Sequence, residues 1–547
     1  MHTLRSLVKQ TPLWGWGALI LFLLMGTLPY VVPLWAAPEG VRATGVSINP
    51  FDANSYLANM QQGYEGRWLY QLPYTASPSR PLPLFSYYLV LGHLARLTSL
   101  SLPLVFHLAR LGCGGLFAWS AYHFAARLLA SRGERALALF LLLFTGGTGW
   151  IVTLVPTLSE TTHVHLTPDL WVTDAISFLA LLSNGHFTLN MVLMMVMIVA
   201  GERLLAGGRW PLAALASVAG LGTALIHAHQ LAVVGLVLGG EVLWQIADTR
   251  RIPWRAVGWL AVIFTPPALL AGLLTILSYR DLALASWLEQ GDTYTPPVWG
   301  LFNLYGPVWV LAFAGAWYAL RQRGAAWRGI VLWFAVVLVL VYVPVNFQRR
   351  FMEGWHVPVT VLAAAGWSRG IAPRLRRRLT EYSVGLALII LLVLVTASPV
   401  HTLITLTRYA IQRQDDQFVY AHADERGATD WLCAHATLDE VVLSFFYSGN
   451  WLPARAPVRS FVGHWSLTAE MAERLADVSR FFDADASDAA RLHLLQTFGV
   501  DYIYVGPDER ALGRFDPARA PYLVPVYVST GVQLYRVVLS PEGQPAN

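Results

Sequence analysis

A polytopic α-helical membrane protein carrying a small α/β domain at its C-terminal end is the fold class this sequence predicts. Three observations predict it: an apolar composition, arginines gathered at the ends of apolar runs, and a change of residue pattern after about position 412. The 547 residues are 55% hydrophobic and 13% charged, with a mean hydropathy of +0.48, whereas soluble domains carry about 25% charged residues. That composition suits a bilayer as solvent. The net charge of +5 is spread over helix ends and forms no continuous basic face, so membrane topology is indicated and nucleic acid is not. Cys113 lies in an apolar run and Cys433 in the polar tail, contexts too unlike to suggest a disulfide or a metal knuckle.

Apolar runs suited to crossing the hydrocarbon fall near 13–36, 102–129, 136–157, 177–199, 211–226, 230–247, 256–278, 298–320, 328–346, 355–372 and 383–406, about eleven spans. The first, from Trp14 to Ala37, is too long for a typical signal-peptide core and reads as a retained helix. Arg5 and Lys9 precede it, and Arg127, Arg132 and Arg135 follow the second run. Further clusters stand at Arg203 and Arg209, at Arg250, Arg251 and Arg255, at Arg321, Arg323 and Arg328, and at Arg374, Arg376, Arg377 and Arg378. Under that count all fall on one side, which should be the cytoplasm. Counting 82–100 as a further span would invert every later loop, so parity makes it interfacial or re-entrant. An inside N-terminus and an odd count place the tail outside, giving a membrane domain over 1–411 and an extracytoplasmic α/β domain over 412–547.

In the tail, "EVVLSFFYS", "VDYIYVG" and "LVPVYVSTGVQLYRVVL" read as strands, the last folding into a hairpin at Thr530-Gly531. Between them Leu467 to Phe482 and Ser487 to Phe498 carry helical periodicity. The polar end "SPEGQPAN" is the single low-complexity stretch.

Sorting the loops by side concentrates acids and histidines on the outer face. Asp52 follows the first helix ahead of an amphipathic stretch with Tyr56, Leu57, Met60 and Tyr64 on one face. A carboxylate beside apolar surface can act as a general base toward a hydroxyl; alternatively Asp52 caps that helix, with Asn54 and Ser55 as rivals. The second outer loop offers His163, His165, Asp169 and Asp174. These could bind a divalent metal, although the spacing fits no specific zinc motif, or contact a substrate, or form a loop in which Asp169 caps a helix after Pro168. His186, near Asn184 in an apolar run, and His227 with His229 at an outer turn, are either functional or bonded to a neighbouring helix. Arg349 and Arg350 sit at an outer helix end against the positive-inside tendency, a pair suited to bidentate grip of a phosphate. Their alternatives are anionic headgroups or an ion pair with Glu353. A tail loop with Trp451, Arg455, Arg459, His464 and Trp465 suits sugar or phosphate contact, or packing. No Walker motif, zincin helix or G-x-S-x-G elbow stands at a suitable turn.

The segments "NPFDANSY", "PLPLFSYYLVLGHLARL" and "LPLVFHLARLGCGGLFAWSAYHFAARLL", the last with Ala109-Arg110 near its start, resemble the lipid-carrier-dependent glycosyltransferases of the GT-C fold class. That class includes protein O-mannosyltransferases and the aminoarabinose transferase of lipid A. The resemblance covers about the N-terminal two-fifths of the chain. It implies a polyprenyl-phosphate-linked sugar as donor, a lipid or glycan hydroxyl as acceptor, transfer with inversion on the outer face, Asp52 as base, Asp169 as an acidic residue of the second outer loop, and Arg349 and Arg350 at the carrier phosphate. Several relatives place two adjacent acids in the first loop, whereas Asp52 is followed by Ala53. No organic cofactor is implied, and a divalent metal stays an open reading. A transporter or flippase, or a non-catalytic assembly protein, is the competing class; inverted repeats would support it, and corresponding broken halves are not found in the sequence.

Overall fold

The structure, a computed structural model, describes residues 8–322 and 324–539. Arg5, Arg323 and the polar end of the tail lie outside the described residues. Internal contacts divide the chain into two units. One comprises the residues up to Pro29, Leu108–Gly272 and Thr293–Arg408; the other comprises Tyr30–His107, Leu273–Asp292 and the residues from Tyr409 onward.

Among the described residues, seven helices are long and apolar enough to cross a membrane: Leu13–Ala36, Leu102–Ala126, Gly185–Leu205, Trp210–His227, Gln230–Thr249, Trp254–Tyr279 and Glu381–Gln412. An eighth is the pair Val298–Tyr305 and Val308–Ala319, bent by 88°. The chain is therefore a multi-pass membrane protein. Of the eleven apolar runs, that over 177–199 breaks at Asn184 ahead of the full-length Gly185–Leu205, and four others are not single full-length helices. The run expected over 136–157 stops at Phe144, before Gly146-Gly147, and resumes only as Gly149–Val152. The 298–320 run breaks at Gly306-Pro307, where Gly306 has φ 51° and the proline ring disfavours helical backbone in the residue before it. Ala325–Leu340 has 16 residues, about 24 Å at 1.5 Å per residue against a hydrocarbon core of about 30 Å. The last of the four is helical from His356 to Leu375 but passes through a π-helical stretch at Gly366–Ile371.

Polar groups inside the first unit are stapled rather than solvated. Arg110 is buried and donates to the carbonyls of Gly26 (3.0 Å) and Leu181 (2.7 Å). Glu241 takes a bidentate bond from Arg328 (2.5 and 2.9 Å), and Glu134 takes one from Arg369 (2.6 and 2.9 Å). Arg127 pairs with Glu202. A buried carboxylate needs such a partner, because leaving it unpaired costs several kcal/mol (about 3–5). Arg127 and Arg328, which mark topology in the sequence, thus also join helices.

The second unit holds the sheet. Its strands are β1 (Arg42–Ala43), β2 (Tyr420–Ala421), β3 (Val441–Leu443), β4 (Arg459–Ser460), β5 (Tyr502–Val505), β6 (Leu523–Val528) and β7 (Gln533–Val537). Five of them form a sheet in the order β4-β3-β5-β7-β6. β3 runs parallel to β4 and β5, while β5–β7 and β6–β7 are antiparallel. Strand periodicity of two sends Val441, Leu443, Ile503 and Val505 to one core with Phe481 and Leu495, and Val442, Tyr502 and Tyr504 to another with Leu432 and Trp451. The hairpin at Thr530-Gly531 and the helix Asp488–Phe498 fall where expected, while the helix expected from Leu467 begins only at Met471, after Glu470 in the left-handed region, and ends at Phe482. The strand expected from "EVVLSFFYS" is shorter: only Val441–Leu443 is extended, and Phe446 already opens the helix Phe446–Arg455.

The first outer loop belongs to this unit too. β1 pairs with β2, joining the loop to the segment after the last long helix. Its helices Pro50–Tyr64 and Ser86–Thr98 cross with their backbones in contact. A Cβ on Gly63 would lie 2.1 Å from the Leu89 carbonyl oxygen, and one on Gly92 2.0 Å from that of Met60, so both positions require glycine. At 13 residues, Ser86–Thr98 is too short to span a bilayer.

Candidate active site

Asp52 lies in the first turn of Pro50–Tyr64, not at its cap. The N-cap is Asn49, in the left-handed region at φ 44° and without a side-chain cap bond, and Pro50 takes the first helical position. Neither Asn54 nor Ser55 caps the helix. The Asn49 amide donates to Asp52 Oδ2 at 2.5 Å, and His464 Nε2 stands 3.2 Å from Asp52 Oδ1. The tautomer of His464 follows from its other nitrogen. Nδ1 accepts from the backbone N–H groups of Ser466 (3.2 Å) and Leu467 (3.3 Å), so in the neutral ring the proton sits on Nε2 and points at Asp52.

The loop that brings His464 there is built by close approach. Gly463 would place a Cβ 2.4 Å from the Gly449 carbonyl oxygen, and Thr468 Oγ1 accepts from the N–H groups of Gly463 and His464 (both 3.2 Å). Asn450 also binds this first turn, donating to the Phe51 carbonyl (3.3 Å) and accepting from Asn54 (2.9 Å). Asp52 is 35% exposed against 3% for His464, an open carboxylate on a buried support. Elsewhere in the tail loop Trp451 is buried under the Arg455 guanidinium and Arg455 donates to the Gln417 carbonyl, whereas Trp465 is exposed and stacks on His464. A separate cavity of about 600 Å³ between Met471–Phe482 and Asp488–Phe498 contains none of the residues singled out above, and its Arg474 and Arg491 already pair with acids.

In the helical unit, Asp169 anchors a loop. Its Oδ2 accepts from the N–H groups of Gly147 (3.0 Å) and Gly149 (3.1 Å) and from Ser398 Oγ (2.5 Å), and the residue is 2% exposed. Burial pushes its carboxyl up to about 6 despite those donors. Through Oδ2 the carboxyl holds the Gly147 and Gly149 backbone, while its Oδ1 is buried without a hydrogen-bond partner. Asp174 is also buried and faces Arg349, whose Nε lies 3.6 Å away, with the guanidinium over the Trp171 ring at 5.0 Å. Arg350 has no carboxylate partner among the described residues.

The ion pair weighed between these arginines and Glu353 does not form. Glu353, fully buried, has His227 Nδ1 2.6 Å from its Oε2 and accepts from Asn190 (3.1 Å) and Gln230 (3.4 Å). His186 follows the break at Asn184 and sets its ring edge-on to His227, with centroids 5.0 Å apart. His163 and His165 lie on the short helix Glu160–Leu166, and His163 Nε2 is 3.1 Å from the Val155 carbonyl. The metal reading weighed for that pair with Asp169 and Asp174 is not met. Among the described residues, the three-residue grouping with ligand atoms close enough for one ion is His227, His229 and Glu353.

No protein-family model and no curated protein matches the chain, whereas solved structures match its fold. The oligosaccharyltransferase of Archaeoglobus fulgidus, tethered with an acceptor peptide containing the NVT sequon, gives a TM-score of 0.52 at 13% identity, over 98% of this chain and 75% of its own. ArnT from Cupriavidus metallidurans in the apo state gives 0.50 at 14%, over 97% and 99%. The arabinofuranosyltransferase AftD from Mycobacteria gives 0.51 at 16%, over 96% of this chain and 40% of its own. The chain has the GT-C fold of polytopic membrane glycosyltransferases.

Proposed function

We propose that the protein is a glycosyltransferase that moves a sugar from a polyprenyl-phosphate-linked donor to an acceptor hydroxyl at the outer face of the membrane. The observation that carries this is Asp52: an open carboxylate at a helix N-terminus, oriented by a buried histidine whose tautomer is fixed. Asp52 takes the proton of a lipid or glycan hydroxyl, and the freed oxygen attacks the anomeric carbon. The bond from that carbon to the phosphate oxygen breaks, its electron pair stays on the phosphate, and the configuration inverts. Arg350 meets the developing phosphate charge, with Arg349 assisting from its pair with Asp174. His163, His165 and His186 are assigned to substrate contact, and Asp169 to holding the Gly146–Gly149 loop.

The arginine-rich junctions are taken as cytoplasmic, with the N-terminus inside and the C-terminal α/β domain from about 412 outside. The test is transfer by the purified protein in lipid nanodiscs, given a panel of radiolabelled polyprenyl-phosphate sugars and cell-envelope acceptors. Labelled acceptor and free polyprenyl phosphate in equal amounts are expected from at least one donor. Transfer from none of them would overturn the reading.

A further inference from the structure

Apart from Asp52 and the arginines, the helical unit gathers a second set of chemistry-bearing side chains. His227 ends the helix Trp210–His227, His229 precedes Gln230–Thr249, and Glu353 follows the turn Gln348–Met352. One ligand atom from each lies within 4.8 Å of the others. Zinc bonds of about 2.0–2.2 Å at tetrahedral angles put ligand atoms roughly 3.3–3.6 Å apart, so shifts of about an ångström close the set on one ion, with the widest pairs moving inward and His227 Nδ1 and Glu353 Oε2, now hydrogen-bonded at 2.6 Å, moving apart. We infer that His227, His229 and Glu353 form a binding site for a divalent metal ion of the zinc class, with the fourth position open.

Two further observations point the same way. His229 hydrogen-bonds the Arg350 carbonyl, while its Nε2 is buried without a hydrogen-bond partner. That is the arrangement in which one ring N–H is fixed on a carbonyl and the other nitrogen offers a lone pair to a metal. Glu353 is likewise held by Asn190 and Gln230, whose side-chain oxygens Oδ1 and Oε1 are buried without partners. Those two oxygens are suited to accept from a water on the open position. Two imidazoles and one carboxylate select zinc-like ions over magnesium or calcium. The rings of Phe187, Phe347 and Phe351 lie 5.2–6.0 Å from the two histidines and keep bulk water from the set. An ion there clips the turn between two long helices to residue 353, 126 positions from His227 in the chain.

The inference stands apart from the glycosyl-transfer reading, because metal is measured directly. The full-length protein is stripped with chelator and titrated with zinc, and bound metal is counted by mass spectrometry. One zinc per chain is expected for the wild type. Glu353→Gln and His229→Gln should each weaken binding by about 100-fold or more, while the paired change His163→Gln with His165→Gln leaves it intact. Cobalt in the wild type should give the intense visible absorption of a tetrahedral site, a readout that needs no variant to fold. Wild-type protein that takes up no stoichiometric zinc and shows no such cobalt spectrum would overturn the site. So would Glu353→Gln and His229→Gln proteins, monodisperse on gel filtration, that keep wild-type affinity.

Discussion

Replacing His464 by phenylalanine removes one donor from Asp52 and leaves the carboxylate itself in place. The bond runs 3.2 Å from Nε2 to Oδ1, with the histidine 3% and the aspartate 35% exposed. A hydrogen bond to a charged group contributes about 1.5–3 kcal/mol when dry, and with a third of the carboxylate open to solvent the lower end applies. At 1.36 kcal/mol per decade, that is roughly a tenfold fall in kcat. The donor KM should hold, because His464 is not assigned to the phosphate. The acid limb of the kcat profile should also move to higher pH, since a donor to the ionised carboxylate favours that form and its loss disfavours it. His464→Gln retains an N–H for Asp52 but loses the ring nitrogen that accepts from Ser466 and Leu467, and an intermediate rate is expected. Steady-state transfer assays across pH, on protein that elutes as a single species, provide the measurement. A phenylalanine variant with wild-type kcat and an unmoved acid limb would refute the positioning role.

Arg350→Gln should lower kcat/KM for the donor by about 10- to 100-fold, the worth of one charge-assisted contact, and Arg349→Gln by less, because Asp174 already faces that guanidinium; donor titrations of both variants check the order. Asp169, with its carboxyl raised from 3.8 to about 6, makes stability fully present below the lower value and lost as pH rises through the upper one, a difference of ~3 kcal/mol. Thermal unfolding of the wild type from pH 4 to 7 should show that fall in Tm, and Asp169→Asn should flatten it. Glu241→Ala leaves the Arg328 guanidinium without its bidentate partner, and a loss of about 3–5 kcal/mol should appear as a lowered Tm. Gly92→Val puts a Cβ 2.0 Å from the Met60 carbonyl oxygen, so the two loop helices must separate, and faster proteolysis of the first outer loop should report it.

What the sequence made legible was local. The seven full-length helices, the failure of 82–100 to form a span, the hairpin at Thr530-Gly531 and the helices at Met471–Phe482 and Asp488–Phe498 are written in hydropathy, length and turn residues. Where hydropathy misleads, a local signal overrides it. Gly146-Gly147 and Gly306-Pro307 break runs that hydropathy alone joins, and Phe446 continues an apolar strand pattern inside a helix. The site was legible only in part. Asp52 stands out by its position after the first helix, and His464 as part of a tail loop suited to sugar or phosphate contact, but nothing in the sequence pairs the two across 412 positions. In sequence Glu353 reads as a counter-ion for its neighbouring arginines, and its pairing with His227 across 126 positions has no periodic signature. Asp169 shows the converse. A carboxylate in an outer loop reads as chemistry, and its burial against the Gly147 and Gly149 amides has no signature in the sequence.

Catalysis by Asp52 is tested most directly by the single-turnover rate of Asp52→Asn against wild type, with polyprenyl-phosphate sugar saturating and acceptor in excess. Asparagine fills the same volume beside Asn49 and His464 but cannot take a proton, so the rate of polyprenyl-phosphate release should fall by about 10²- to 10⁴-fold while donor affinity stays within a factor of about two. An asparagine variant that releases polyprenyl phosphate at the wild-type rate would contradict the account.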